Sequence, residues 1–146
     1  MAKTILLVED NPDDELLALR ALRKNGIQEG ITVVRDGAEA LDFLFARGNY
    51  SDRTTDQLPA VVLLDLNLPK LSGLEVLKQL RAHEETKYLP VVILTTSTEE
   101  RDMVEGYHFG ANSFICKPID YDQFILAIEQ LGRYWLLLNE TPAKPN

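Results

Sequence analysis

The chain has one cysteine, two histidines and one tryptophan. It also lacks any apolar run near the ~20 residues that cross a bilayer. A single cysteine excludes an internal disulfide. His83 and His108 are too few and too isolated for a zinc site. Positive charge is short as well: 15 Lys and Arg stand against 23 Asp and Glu, a formal net charge of -8. Binding to nucleic acid requires a basic face, so nucleic acid is not an expected partner, and neither is a membrane. The start, Met1-Ala2-Lys3-Thr4, leads straight into an apolar run with no signal-peptide cleavage pattern. The expectation is a cytoplasmic protein.

What is present is an alternation. A chain of 146 residues fits one domain, expected over 1–140, with a disordered tail over 141–146. Short apolar runs occur at Ile5 to Val8, Ile31 to Val34, Val61 to Leu64, Val91 to Leu94 and Asn112 to Cys116. Several are apolar at consecutive positions, the pattern of strands covered on both faces in a parallel sheet. Amphipathic stretches lie between them. The first runs from Pro12 to Lys24, with Leu16, Ala18, Leu19 and Leu22 as its apolar face and Asp13, Asp14 and Glu15 matched to its N-terminal dipole. Others start near Asp36, Ser72-Gly73, Glu99 and Asp120. Five such units predict a doubly wound α/β sheet with right-handed crossovers. Gly48 to Pro59 is polar and aperiodic, and reads as a surface excursion.

Charges stand where these strands should end. Glu9-Asp10 closes the first run, Asp65 the third and Lys117-Pro118 the fifth, while Thr95 follows the fourth. A charge at a buried strand end is costly unless a site uses it, and ligands of open α/β sheets bind beyond the carboxyl ends of strands. If the first and third strands are neighbours, Glu9, Asp10 and Asp65 converge and suit a hard cation such as Mg²⁺. Asp10 and Asp65 are the candidate direct ligands, with the backbone carbonyl of Asn67 beside them and Glu9 acting through water. An aspartate beside Mg²⁺ can be a nucleophile that forms an acyl phosphate. Lys117 and the Thr95 hydroxyl would then meet the phosphoryl oxygens. Taken singly, each residue has a plainer reading: Asp10 as a helix cap, Thr95 as the cap of the fourth helix. The coincidence of all four strand ends favours a site.

The ordered set Leu6 to Asn11 (LLVEDN), Leu63 to Pro69 (LLDLNLP), Gly73, Ile93 to Ser97 (ILTTS), Gly110 to Asn112 and Lys117-Pro118 resembles the receiver domain of two-component response regulators. The resemblance covers Lys3 to about Leu138. It implies a five-stranded parallel sheet in the order 2-1-3-4-5 flanked by five helices. It implies Asp65 as phosphoacceptor from a histidine kinase, Thr95 as the switch hydroxyl, Phe114 as the switch aromatic, and a cis Lys117-Pro118 bond. Thr96 stands where a small residue is common, and Asn67 and Ser97 lie where such receivers tune dephosphorylation.

Little chain remains after the fifth helix for an output domain, so a receiver that signals through protein contacts is expected. Its last helix is apolar on more than one side, and a two-fold homodimer contact is expected at Phe124, Tyr134, Trp135 and Leu137. The long loop and the Tyr-Trp segment are similar to the small response regulators that pair with phytochrome kinases, which implies a red-light-sensing kinase as partner. Two other classes compete. A Mg²⁺-dependent phosphohydrolase is disfavoured because Asn67 in Asp65-Leu66-Asn67 lacks the second carboxylate for acid/base work. A pure binding module is disfavoured by the full set of acids, threonine and lysine. The expectation is a phosphoacceptor and not an enzyme in the ordinary sense.

Overall fold

The computed structural model describes residues 3–24, 26–27, 30–53, 58–95, 100–117 and 120–140. Its elements alternate strictly: β1 (Ile5–Val8), α1 (Pro12–Lys24), β2 (Ile31–Val34), α2 (Gly37–Leu44), β3 (Val61–Leu64), α3 (Gly73–Ala82), β4 (Val91–Thr95), α4 (Glu100–His108), β5 (Ser113–Cys116) and α5 (Tyr121–Arg133). The strands form one parallel sheet in the order β2-β1-β3-β4-β5, as the alternation and the resemblance led one to expect.

Strand side chains alternate across the sheet and build two cores. Leu6, Val8, Val62, Leu64, Val91 and Ile93 face α2 and α3, meeting Ala40, Leu41, Leu44, Val76, Leu77 and Leu80. Ile5, Leu7, Val61, Leu63, Val92 and Leu94 face α1 and α5, meeting Ala18, Ala21, Leu22, Phe124, Ile125 and Ile128. This double cover explains why β1, β3 and β4 are buried at every position, with only Thr95 polar among them. The edge strands β2 and β5 are only partly buried. Cys116, the last residue of edge strand β5, is therefore exposed.

Helix starts are set by side-chain caps. Asp36 accepts the Glu39 N–H at 2.7 Å, Ser72 the Glu75 N–H at 3.2 Å, and Asp120 the Asp122 N–H at 2.8 Å. The excursion after α2 is anchored at its start. A 3-10 turn at Gly48–Tyr50 brings the Tyr50 ring edge-on to Phe43, at a centroid distance of 5.2 Å, and the Arg53 guanidinium over the same ring at 3.6 Å. On α1, Leu16 is exposed and Ala21 takes the buried place expected of it. The expected disorder of 141–146 lies outside the described residues.

Candidate functional site

Four strand ends meet at one edge of the sheet, and ladder hydrogen bonds carry the pairing into the functional residues. The Glu9 N–H donates to Val34 at 3.0 Å, the Asp65 N–H to Val8 at 3.1 Å, and the Lys117 N–H to Thr95 at 2.7 Å. Each side chain is thus placed by backbone that is still part of the sheet. The capping role falls to Asn11, whose Oδ1 accepts the N–H groups of Asp13 and Asp14 at 2.9 and 3.2 Å. Asp10 is not the cap, which removes its plainer reading.

The three carboxylates converge. Glu9, Asp10 and Asp65 each present an oxygen within 4.8 Å of the others. Glu9 and Asp65 are buried and Asp10 is exposed, so the cluster opens to solvent on the Asp10 side. Three anionic groups this close repel one another, and an oxygen-rich, partly solvated cluster suits a divalent cation that keeps some of its water. The donor set therefore fits the metal expected from the sequence. The Asn67 N–H donates to Asp65 Oδ1 at 3.3 Å, which holds the carboxylate and brings the Asn67 backbone beside it.

Lys117 stands opposite. Its side chain is 6% exposed, and its ammonium contacts Glu9, Asp14 at 2.9 Å and Asp65 at 3.5 Å. Burial alone lowers a lysine pKa, but the hydrogen bonds Lys117 donates to Glu9 and Asp14 and the charges of Asp65 and Glu9 outweigh it, and the pKa is raised. Glu9 is pushed up to about 7, first by burial and further by Asp65, against the pull of Lys117.

Thr95 closes β4 and is fully buried. Phe114 lies opposite Ile93 in the β4–β5 register and is half-buried against the α2–α3 core. Gly106 of α4 leaves room for it: a β-carbon there would stand 2.8 Å from Ile93 Cδ1 and 3.4 Å from Phe114 Cδ2. Glu9, Asp10, Asp65 and Lys117 are thus brought together as the sequence suggested. Pro118, Thr96 and Ser97 fall outside the described residues, and so does the expected cis Lys117-Pro118 bond.

One participant escaped the sequence reading. Asp14, taken there as a dipole-matched first-turn residue, joins Glu9 and Asp65 as a third carboxylate in contact with Lys117. The signal was present: Asp14 shares the 14, 18, 21, 22 stripe with the buried Ala18, Ala21 and Leu22, so it faces the sheet.

The contact residues expected on the last helix divide. Phe124 is 5% exposed and packs in the α1–α5 core, so it is a core residue rather than a surface one. Trp135 is partly buried against that core. After α5 a π turn, Tyr134–Leu138, leaves Tyr134 at 49% and Leu137 at 74% exposure, with Leu126 and Leu138 also exposed. Among the described residues no helix is long and apolar enough to cross a membrane.

Comparison with known proteins agrees with this geometry. Residues 5–129 match the family model of the response regulator receiver domain. The chain is 40% identical over 138 residues to the probable methanogenesis regulatory protein FilR2 of Methanothrix harundinacea, covering 94% of this chain and 86% of that protein. It is similar in structure to the phosphorylated cyanobacterial phytochrome response regulator RcpA, with a TM-score of 0.89 and 35% identity over 98% of this chain and 100% of that one. The Mn²⁺-bound form of response regulator Rcp1, of Synechocystis sp., superposes with a TM-score of 0.86 at 35% identity, covering 97% of this chain and 99% of that one.

Proposed function

From the premise that this chain belongs to the response regulator receiver family, we propose that Asp65 accepts a phosphoryl group from a histidine kinase and that the chain passes the signal on through protein contacts. The observation that carries this reading is the setting of Asp65. It is a buried carboxylate at the end of the central β3, with the Lys117 ammonium 3.5 Å away and the Glu9 and Asp10 carboxylates alongside.

In the transfer, an Asp65 carboxylate oxygen forms the new O–P bond as the P–N bond to the donor imidazole breaks. The imidazole keeps the electron pair and takes up a proton. Asp10, Asp65 and the Asn67 carbonyl would hold Mg²⁺, with Glu9 acting through water. Bound there, the metal would supply positive charge to the phosphoryl oxygens. Lys117 supplies the second positive charge, and Thr95, at the end of the adjacent strand, offers a hydroxyl. Phosphorylation adds charge at the sheet edge and biases the packing of Thr95 and Phe114, and through them the α4–β5–α5 face.

The likeness to RcpA supports a phytochrome-type kinase as donor. Light-dependent transfer from such a kinase to Asp65 tests that step. The exposed Tyr134 and Leu137 support a homodimer of receivers, each spanning 1–140. Sedimentation of wild type against Leu137→Ser tests it, and an unchanged oligomeric state would remove Leu137 from the contact.

Intact mass after incubation with Mg²⁺ and acetyl phosphate tests the core reading. One phosphoryl adduct on wild type and none on Asp65→Asn is expected. Adduct at full yield on Asp65→Asn would overturn it.

A further inference from the structure

We propose that Asp14 is a positioning residue for Lys117: it holds the ammonium toward α1 in the resting protein and competes for it with the phosphoryl group on Asp65. The inference rests on the reading of Asp65 as phosphoacceptor.

A lysine ammonium has three N–H donors and no more. In the resting protein all three point at carboxylates, on Glu9, on Asp14 at 2.9 Å and toward Asp65 at 3.5 Å. The contact with the acceptor is the longest. Glu9 belongs to the acidic cluster with Asp10 and Asp65, whereas Asp14 does not. It projects from the first turn of α1, 29% exposed at its side chain, and contacts the site only through Lys117 among the contacts described. Asp14 is therefore a carboxylate that occupies the lysine without belonging to the metal cluster.

Transfer of a phosphoryl group changes what Lys117 faces. The new oxygens carry more charge than the carboxylate they replace and lie further out from β3. For Lys117 to meet them at full strength, a donor must leave one of its resting partners. Glu9 is buried at 3% exposure and fixed by the ladder. Asp14 is the partner that solvent can take over, so the exchange falls on it. The Asp14–Lys117 contact thus favours the unphosphorylated state and slows capture of the phosphoryl group. Because Asp14 is partly exposed, its hold is a fraction of that of a fully buried charged hydrogen bond.

The test compares Asp14→Asn, Asp14→Glu and Asp13→Asn with wild type, using acetyl phosphate and Mg²⁺ and reading adduct formation by mass against donor concentration. Asp13 lies on the same turn and is exposed, and its change removes the same charge without touching Lys117. Asp14→Asn is expected to label about three- to tenfold faster than Asp13→Asn at low donor, through a lower half-saturating concentration. Asp14→Glu should return toward wild type; wild type, Asp13→Asn and Asp14→Glu should share one urea midpoint, with that of Asp14→Asn shifted only slightly. Equal rates for Asp14→Asn and Asp13→Asn would overturn the proposal, since net charge would then explain both. Slower labelling of Asp14→Asn would overturn it in the other direction, with Asp14 aiding Lys117 rather than restraining it. Absence of any wild-type adduct would instead overturn the phosphoacceptor reading, and the competition with it.

Discussion

Gly73 at the start of α3 lies against the backbone of Asp65, so closely that a β-carbon at Gly73 would stand 2.2 Å from the Asp65 carbonyl oxygen and 2.8 Å from Leu66 Cα. Both obstacles are backbone, and no side chain can swing aside to make room. The Gly73 N–H also donates to the Leu66 carbonyl at 3.0 Å, which fixes the approach. Gly73→Ala must push the β3 end or the α3 start outward. It is expected to cost about 1–3 kcal/mol of stability and to reduce phosphoryl labelling of Asp65 more than that loss explains. Urea unfolding and adduct mass on one preparation check both. Labelling unchanged at wild-type stability would show that the loop yields freely.

Lys117 is the counter-charge that the buried acids share. Replacing it with methionine keeps the apolar stem and removes the ammonium, leaving Glu9, Asp14 and Asp65 facing one another. With chelator present, Lys117→Met is expected to lose about 3 kcal/mol. Mg²⁺ should restore more stability to the variant than to wild type, because the metal no longer competes with a resident cation. Titration calorimetry should show tighter Mg²⁺ binding, while labelling by acetyl phosphate slows by roughly a hundredfold. Weaker Mg²⁺ binding in the variant would contradict this account of the cluster.

Much of this was legible in the sequence, and the failures share a cause. The consecutive apolar positions of β1, β3 and β4 identified central strands because both faces are covered. The charges of Asp10, Asp65 and Lys117 stood out because they interrupt such runs at the same depth. What escaped was tertiary. Leu16 fits a helical stripe and yet faces solvent, while Ala21 takes the inner place where α1 sits close to the sheet. Asp14 looked like a dipole match until β5 brought Lys117 across to it. Phe124 counted as surface only until the α5 face it shares with Ile128 was seen to meet Leu63 and Leu94. A single helix pattern does not say which neighbour will cover it.

Glu9 gives the metal-free protein a pH signature. Its pKa rises from an ordinary 4.5 to about 7, chiefly through burial. The native state therefore holds this proton more tightly than the unfolded chain does. The associated stability is complete below about 4.5 and is lost as the pH climbs through about 7. In chelator, wild type is expected to unfold at lower urea at pH 8 than at pH 6, with this one group contributing about 1 kcal/mol to the difference. Glu9→Gln should flatten that slope, since it carries no proton to lose. Identical slopes in the two proteins would assign the effect to another group.

At the other end of the sheet, Arg81 ties three segments together through one planar group. Its Nε and Nη2 donate to the Gly110 carbonyl at 3.0 and 2.9 Å, and its Nη1 to the carbonyls of Thr86 and Lys87 at 3.1 and 3.2 Å. Nη2 also reaches Asn112 Oδ1 at 3.1 Å, which in turn accepts the Val91 N–H at 2.8 Å. The last turn of α3, the turn before β4 and the loop before β5 are thereby held in one register. A lysine ammonium is a compact charge and cannot reproduce the fork. Arg81→Lys is expected to cost about 1–3 kcal/mol in thermal or urea unfolding. Because the clamp sits at the amino ends of β4 and β5 and the acids at the carboxyl ends, the labelling rate of Asp65 should stay at the wild-type value. A fall in that rate without a matching loss of stability would mean that the two ends of the sheet are coupled, with the α4–β5 loop as the first place to look.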